Sequence, residues 1–126
     1  MITDEAIRMA MEKADPIAPD TAVLVTCGWG KYWREPHYQK NAPYFSYDAM
    51  KTLISLRPRI LAADSPAWEC RENPQNFFAD FYAADILMLA PAMVPDNLPD
   101  APCTLTALPI PVEGTSCAPC RAFLRY

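Results

Sequence analysis

The chain has 126 residues, of which 52% are hydrophobic and 21% are charged, a composition that is typical of one folded domain and argues against disorder. Its formal net charge of -4 leaves no excess of lysine and arginine to neutralise phosphates, so nucleic acid is not an expected partner. The five cysteines are an odd number in a sequence with no export signal and no apolar stretch of about 20 residues. We therefore expect reduced thiols and a cytoplasmic protein without membrane segments.

The first two predicted elements are a helix and a strand. Thr3 is a candidate N-cap, and Ile7 and Met11 follow on one face at helical spacing, which predicts a helix that ends before Pro16. The apolar and partly β-branched run 22–26 is typical of a short buried strand, and two glycines follow it within four residues.

An aromatic loop follows this strand. Residues 31–44 show no helix or strand periodicity, so we expect a loop whose rings pack together and could form the wall of a pocket. The aromatic and histidine side chains that crowd here are Tyr32, Trp33, His37, Tyr38 and Tyr44, with Phe45 directly after them.

The second helix and strand are marked by local signals. Ser46 is a candidate N-cap for a helix over 47–56, and Pro58 ends that helix before a strand over 59–63. The strand leads into a turn that begins at Asp64.

The remaining elements complete an α/β pattern. Pro74 in a first turn and a stripe of aromatic residues predict a third helix over 74–83. We expect a strand over 86–89, a proline-rich surface excursion over 90–102, and two strands over 104–111 and 120–125 that are joined around Gly114. This order predicts a single α/β domain over residues 1–126.

Three segments together resemble the second part of the cyclase family of the kynurenine-formamidase type. Asp20–Gly30, DTAVLVTCGWG, resembles that family's strand with Thr and Gly-Trp, and Arg59–Pro66, RILAADSP, resembles its strand before an Asp-Thr/Ser-Pro turn. Leu105–Arg121, LTALPIPVEGTSCAPCR, is similar to the family's final Leu-Pro strand, Gly turn and Pro-x-Arg signature. The resemblance covers nearly the whole chain, from about Ile2 to Phe123, with the three segments in the family's order.

The resemblance implies a fold and a chemistry. Family members have a swivelling β/β/α architecture and hydrolyse amide bonds of small aromatic or cyclic substrates, including formylkynurenine, with a divalent metal. Their metal centre uses a His-x-Gly-Thr-His-x-Asp motif that lies before the region matched here, and this chain has a single histidine, His37. Alignment on the family places Phe78 and Ala90 at about the positions of two later metal ligands. Neither side chain has a lone pair to give a metal.

We therefore expect an N-terminally truncated, cyclase-like domain with no metal ligands and no cofactor, which does not act as a metal hydrolase by itself. Without its ligands the metal-bound water that attacks the amide is missing. The chain is then a pseudoenzyme or an interaction protein that forms homo-oligomers or pairs with a separate cyclase-like chain, because surfaces covered in the family would otherwise be exposed. The alternative is the C-terminal subunit of a split metal-dependent amidohydrolase.

The candidate ligand pocket is aromatic. We expect a small aromatic ligand to be bound near Trp29, Trp33, Tyr38 and Trp68, with Asp64 close by. Asp64 could belong to a carboxylate cluster for acid-base or metal chemistry, but a turn residue that accepts backbone hydrogen bonds is the favoured interpretation. No catalytic residue can be named.

Other reactive side chains have simpler interpretations. His37 could be a general base, but without a partner nucleophile we favour a packed loop histidine. Asp80 and Asp85 are expected to be solvated charges. Cys117 and Cys120 form a CxxC pair that could be a redox or zinc motif, but no second pair accompanies it, so ordinary packed thiols are favoured and a small thiol protein is the least supported function.

Overall fold

The structure is a computed structural model that describes residues 1–94, 97–98 and 101–126. The chain divides into two compact units, Met1–Pro95 and Asp96–Tyr126. Part of the proline-rich excursion predicted over 90–102 lies outside the described residues. Within the described ranges, no helix combines the length and apolar character needed to cross a membrane.

The first unit is built on a parallel sheet of three strands in the order β1, β2, β3. The strands are β1 (Ala22–Val25), β2 (Ile60–Ala63) and β3 (Leu87–Leu89). Both pairs are parallel and in regular register, with Val23 beside Leu61 and Leu61 beside Met88. Helices connect the strands, as parallel pairing requires, so the predicted α/β class is confirmed.

Local caps set the starts of the first two helices. Helix α1 (Asp4–Met11) begins after Thr3, whose hydroxyl oxygen accepts a hydrogen bond from the Ala6 N–H at 3.2 Å. Helix α2 (Tyr47–Ser55) begins after Ser46, whose hydroxyl accepts one from the Ala49 N–H at 3.1 Å. Both N-caps agree with the sequence prediction, because each side chain satisfies a donor that a helix terminus leaves without a partner.

Helix α3 (Phe78–Ala83) is shorter than predicted. Its start was expected at Pro74, but Asn76 adopts a left-handed conformation with φ of 58° and interrupts the helix. The Phe77 N–H instead donates to the Glu69 carboxylate at 3.0 Å. The helix therefore begins only after these residues.

One face of the sheet carries the core. Each of the three α-helices contributes a buried side chain to a single cluster that packs on the strands, whereas the short 3-10 helix Gly30–Tyr32 contributes none. The cluster includes α1 Ile7, α2 Met50 and Leu53, α3 Phe81, and β2 Leu61 and Ala63. Val23, Val25 and Met88 from the edge strands pack against it. The helices thus cover the face to which the odd-numbered residues of β1 and β2 point.

The second unit contains an antiparallel hairpin. Strands β4 (Thr104–Pro109) and β5 (Cys120–Arg125) pair with Leu105 opposite Leu124. The predicted strand over 104–111 ends two residues early, although the Ile110 N–H still donates to the Pro119 carbonyl at 3.0 Å. Gly114 has φ of 77° in the connection, where a side chain would be strained.

Replacement of the α2 cap tests the local signal. Ser46→Ala removes the acceptor for the Ala49 N–H and should lower the free energy of unfolding by about 1 kcal/mol. Ser55→Ala is the matched control, because the Ser55 hydroxyl is at the other end of the same helix and donates only to the Thr52 carbonyl. Urea denaturation of the two variants measures the difference, and equal midpoints would contradict the capping role.

Candidate functional site

The candidate site lies where β1 and β2 end. Asp64 directly follows β2, and the turn from Cys27 to Gly30 follows β1. Because β1 and β2 are parallel neighbours, both segments emerge at the same edge of the sheet. The carboxyl edge of a parallel sheet is where open α/β proteins bind their ligands.

Asp64 is the centre of this edge. The residue is only 2% exposed. Its Oδ1 accepts hydrogen bonds from the Cys27 N–H at 2.9 Å and the Cys27 thiol at 3.0 Å. Its Oδ2 accepts from the N–H groups of Trp29 at 2.8 Å and Gly30 at 3.4 Å. Four donors from one turn therefore converge on a single buried carboxylate.

The shape of the turn depends on a glycine. Gly28 has φ of 69°, which lets the chain reverse so that the N–H groups on either side of it point at Asp64. The favoured interpretation of Asp64 was a turn residue that accepts backbone hydrogen bonds. The donors lie 34 to 37 residues away rather than in the adjacent turn, so the interaction joins two strands.

These hydrogen bonds keep Asp64 charged. Burial by itself would raise the pKa of the carboxyl group, but the hydrogen bonds from the Cys27 thiol and from the three N–H groups outweigh it, so the pKa lies below its ordinary value. The charge in turn acts on the thiol. Desolvation first, and then the hydrogen bond to Asp64, raise the pKa of Cys27 to about 12. Cys27 is therefore a neutral donor at physiological pH, not a thiolate nucleophile.

Three of the predicted pocket residues join this anchor. The Trp29 indole N–H donates to the Tyr38 carbonyl at 2.9 Å, and the Tyr38 hydroxyl lies 3.4 Å from the Asp64 carbonyl oxygen. Trp33 packs edge-on against Tyr38 with ring centroids 5.3 Å apart, and it remains 47% exposed. The structure thus brings Trp29, Trp33, Tyr38 and Asp64 together.

A second aromatic group adjoins Trp29. The centroid of the Trp29 ring lies 4.7 Å from the Tyr32 ring centroid and 6.0 Å from that of His37. The ring centroids of Tyr32 and His37 are 5.3 Å apart. The Lys31 ammonium lies 5.0 Å from the centroid of the Tyr32 ring. His37 is packed between aromatic rings, as the favoured interpretation of a loop histidine expected.

Trp68 is placed elsewhere. Its ring packs edge-on against Phe45 at 5.5 Å and Phe81 at 5.6 Å, inside the core cluster on the helical face of the sheet. Its indole N–H is buried and has no hydrogen-bond partner among the described residues. Of the five predicted pocket residues, Trp68 is the one whose ring contacts lie with the core and not with the aromatic loop.

The remaining carboxylates and thiols do not converge on Asp64. Asp80 accepts a hydrogen bond from the Tyr47 hydroxyl at 3.2 Å, and Asp85 forms an exposed ion pair with Arg59 at 2.9 Å. Cys117 and Cys120 are free thiols. In the part of the chain that the structure describes, no three histidine, cysteine, aspartate or glutamate side chains are grouped as metal ligands would be.

Two features were missed from the sequence. Cys27 was not assigned to the site, although its place just beyond a strand, like that of Asp64, could have indicated a shared edge. The other feature is an open cavity of about 530 Å³ at the amino ends of the strands, lined by Asp20, Ile54, Ser55, Arg57, Pro58, Arg59, Ala83, Ala84 and Asp85. Its lining comes from the ends of α2 and α3 and from residues just before the three strands, which no sequence motif links.

Asp64→Asn tests the anchor. The variant replaces one acceptor oxygen by an NH₂ group that faces N–H donors, so the free energy of unfolding should fall by about 2 kcal/mol at neutral pH. Asp85→Asn is the control, because it removes a carboxylate from an exposed ion pair and should cost less than about 1 kcal/mol.

The cost of Asp64→Asn should also depend on pH. Because the pKa of Asp64 is lowered in the folded chain, its charge stabilises the fold above the ordinary aspartate pKa, and this stabilisation is lost as the pH falls through the lowered value. Urea denaturation of the wild type and the variant at neutral and acidic pH should show the gap between them closing on acidification. A gap that does not change with pH would contradict the role of the charge.

Comparison with known proteins supplies the family. A family model described as "Putative cyclase" matches residues 1–70, which include the segments Asp20–Gly30 and Arg59–Pro66. The third segment of the resemblance, Leu105–Arg121, lies outside the match. No curated protein and no solved structure matches the chain. Because the matched residues are more than half of the chain, it belongs to the cyclase family.

Proposed function

We propose that this cyclase-family chain binds a small aromatic ligand at the carboxyl edge of β1 and β2 and does not, by itself, hydrolyse amides with a bound metal. The observation that carries the proposal is the hydrogen bonding of Asp64. Both carboxylate oxygens already accept two donors each from the turn after β1. The carboxylate thus serves to hold the aromatic loop and not to coordinate a cation.

The ligand positions that the resemblance implies support the same conclusion. In the kynurenine-formamidase type, to which we assign the chain together with its swivelling β/β/α architecture, a metal lowers the pKa of a bound water. Phe78 stands at about one ligand position, and its ring packs against Phe77 at 5.1 Å and Tyr82 at 6.0 Å. Ala90 stands at another, and it packs against the core. Both positions carry hydrocarbon side chains in apolar surroundings.

The aromatic loop supplies the binding surface. Trp33 exposes about half of its side chain, while its edge contact with Tyr38 limits its orientation. Trp29 is held by its hydrogen bonds to Asp64 and Tyr38. Aromatic side chains that are fixed on one side and open on the other favour planar, largely apolar ligands.

The absence of hydrolysis is directly testable. Purified protein incubated with Zn²⁺ or Mn²⁺ and formylkynurenine should release formate no faster than the metal in buffer, because no metal-bound water is formed at the site. Hydrolysis is followed by the absorbance of the kynurenine that forms together with formate, and the metal content of the protein is measured by elemental analysis. Stoichiometric metal together with turnover would contradict the proposal. Turnover that requires a second chain with a His-x-Gly-Thr-His-x-Asp motif would instead support the split hydrolase.

Ligand binding can be followed on the tryptophans. The chain has three, so the indole N–H region of a ¹H–¹⁵N spectrum should contain three signals. Formylkynurenine should shift the signals of Trp29 and Trp33, while that of Trp68 in the core stays in place. Shifts of all three, or of none, would contradict the assigned location.

A truncation at the loop should weaken this binding. Trp33→Ala removes an exposed ring from the site and should raise the dissociation constant about tenfold. Tyr82→Ala is the control, because Tyr82 is also an exposed aromatic residue but lies on α3. Equal effects of the two substitutions would show that the loss is not specific to the loop.

A further inference from the structure

The open cavity at the amino ends of the strands lies at the opposite edge of the sheet from Asp64. Its volume of about 530 Å³ is typical of a small-molecule site. Arg57, Arg59, Asp20 and Asp85 give its lining two positive and two negative charges. We infer that this cavity binds a small zwitterion of the amino-acid type. All of its lining residues lie in the first unit and none belongs to the aromatic loop, so the inference does not rest on the proposed function.

Backbone hydrogen bonds fix the walls of the cavity. The Asp20 N–H donates to the Arg57 carbonyl at 3.1 Å, and the Arg59 N–H donates to the Thr21 carbonyl at 2.8 Å. On the third strand, the Leu87 N–H donates to the Arg59 carbonyl at 3.0 Å. The segments before the three strands are thus tied to one another by the same pairing that builds the sheet. The cavity is therefore formed before a ligand arrives, as most small-molecule sites are.

The backbone conformation singles out the same residues. In the described part of the chain four residues other than glycine have a positive φ, and three of them, Asp20, Arg57 and Asp85, line this cavity with φ of 62°, 51° and 57°. Arg57 and Asp85 each follow the C-cap of a helix, where a left-handed residue is common and is usually glycine. The helix ends explain the conformation but not the charged side chains, because glycine adopts it without strain. A need for charge at the cavity explains them.

The arginines provide for a carboxylate. Arg57 forms no ion pair with another described residue. Arg59 uses Nη1 for an exposed ion pair with Asp85 at 2.9 Å, and an arginine has further N–H donors that a ligand can engage. A guanidinium group binds a carboxylate through two parallel N–H donors. Arg57 is therefore the principal partner that the cavity offers to a ligand carboxylate.

Negative groups at the same cavity provide for an ammonium. Ser55 ends α2 and Ala83 ends α3, and both line the cavity, so two helix C-termini meet it. The carbonyl groups of a last helical turn lack partners within the helix and carry a partial negative charge that attracts cations. Asp20 adds a full negative charge and forms no ion pair with a described residue. A simple anion would be repelled by these groups, whereas a zwitterion has a partner for each of its charges.

The uncharged part of the lining favours an apolar side chain on the ligand. It consists mainly of hydrocarbon groups, from Ile54, Pro58, Ala83 and Ala84. L-Leucine, with one carboxylate, one ammonium and a branched hydrocarbon side chain, is therefore the simplest probe of the class. Because the charged contacts are open to water, we expect a dissociation constant on the order of 1 mM.

Three matched compounds test the ligand class. On titration with L-leucine, the amide signals of Asp20, Ser55 and Asp85 should shift in ¹H–¹⁵N spectra. The compound 4-methylpentanoate lacks the ammonium and 3-methylbutylamine lacks the carboxylate, so each should bind at least about threefold more weakly. If either binds as tightly as L-leucine, the zwitterion is the wrong class. Amide signals that stay in place up to roughly 10 mM L-leucine, about ten times the expected constant, overturn the site itself.

Glycine at the left-handed positions removes a charge without straining the fold. Arg57→Gly should raise the dissociation constants of L-leucine and 4-methylpentanoate about threefold and leave that of 3-methylbutylamine unchanged, with a urea midpoint no lower than that of the wild type. Asn76→Gly is the matched control, because Asn76 is also left-handed, with φ of 58°, but does not line the cavity. It should leave all three constants unchanged. An Arg57→Gly variant that binds L-leucine as the wild type does overturns the inference.

The reciprocal substitution tests the other charge. Asp20→Gly should weaken the binding of L-leucine and 3-methylbutylamine about threefold and leave that of 4-methylpentanoate unchanged. This crossed pattern identifies which end of the ligand meets each residue. If Arg57→Gly and Asp20→Gly weaken all three compounds equally, the loss comes from the shape of the cavity and not from its charges, and the zwitterion is overturned.

Discussion

The buried carboxylate of Asp64 determines the geometry of the carboxyl edge. It follows the central strand and binds four donors from the turn after the neighbouring strand, so two segments that are more than 30 residues apart are joined at one point. The same turn positions Trp29, whose indole N–H in turn binds the loop at Tyr38. The candidate aromatic site thus depends on one anion that accepts four hydrogen bonds. These hydrogen bonds offset the cost of removing the charge from water, because a buried charge without partners would be strongly destabilising.

The sheet imposes a second constraint. The central strand β2 places Leu61 and Ala63 in the core cluster, and Ala62, which points to the other face of the sheet, is also buried with 2% exposure. The strand is thus apolar on both sides, as is usual for a strand in the middle of a parallel sheet.

The sequence predicted the elements that rest on local signals and missed those that rest on distant contacts. Thr3 and Ser46 cap their helices through bonds to residues three positions ahead, which a reader of the sequence can find. The start of α3 depends on Glu69, which binds the Phe77 N–H from eight residues away, so the pattern gave too long a helix. Likewise, no local rule predicts the hydrogen bond from Cys27 to Asp64. The sequence pattern also gave no sign that Trp68 packs in the core and not with the aromatic loop. Registers, and with them the composition of each sheet face, come only from three-dimensional pairing.

The anchoring role of Asp64 competes with a role in metal binding. A carboxylate that coordinates a cation directs lone pairs at it, whereas each Asp64 oxygen here faces two donors from the turn. Metal binding would leave some of these donors unsatisfied in a buried place, at a cost of about 1–3 kcal/mol for each. It would also release the turn that positions Trp29, and with it the loop that we propose as the ligand site. A chain that keeps the loop ordered therefore keeps Asp64 from a metal, which is why we expect recognition of an aromatic compound without metal-dependent hydrolysis.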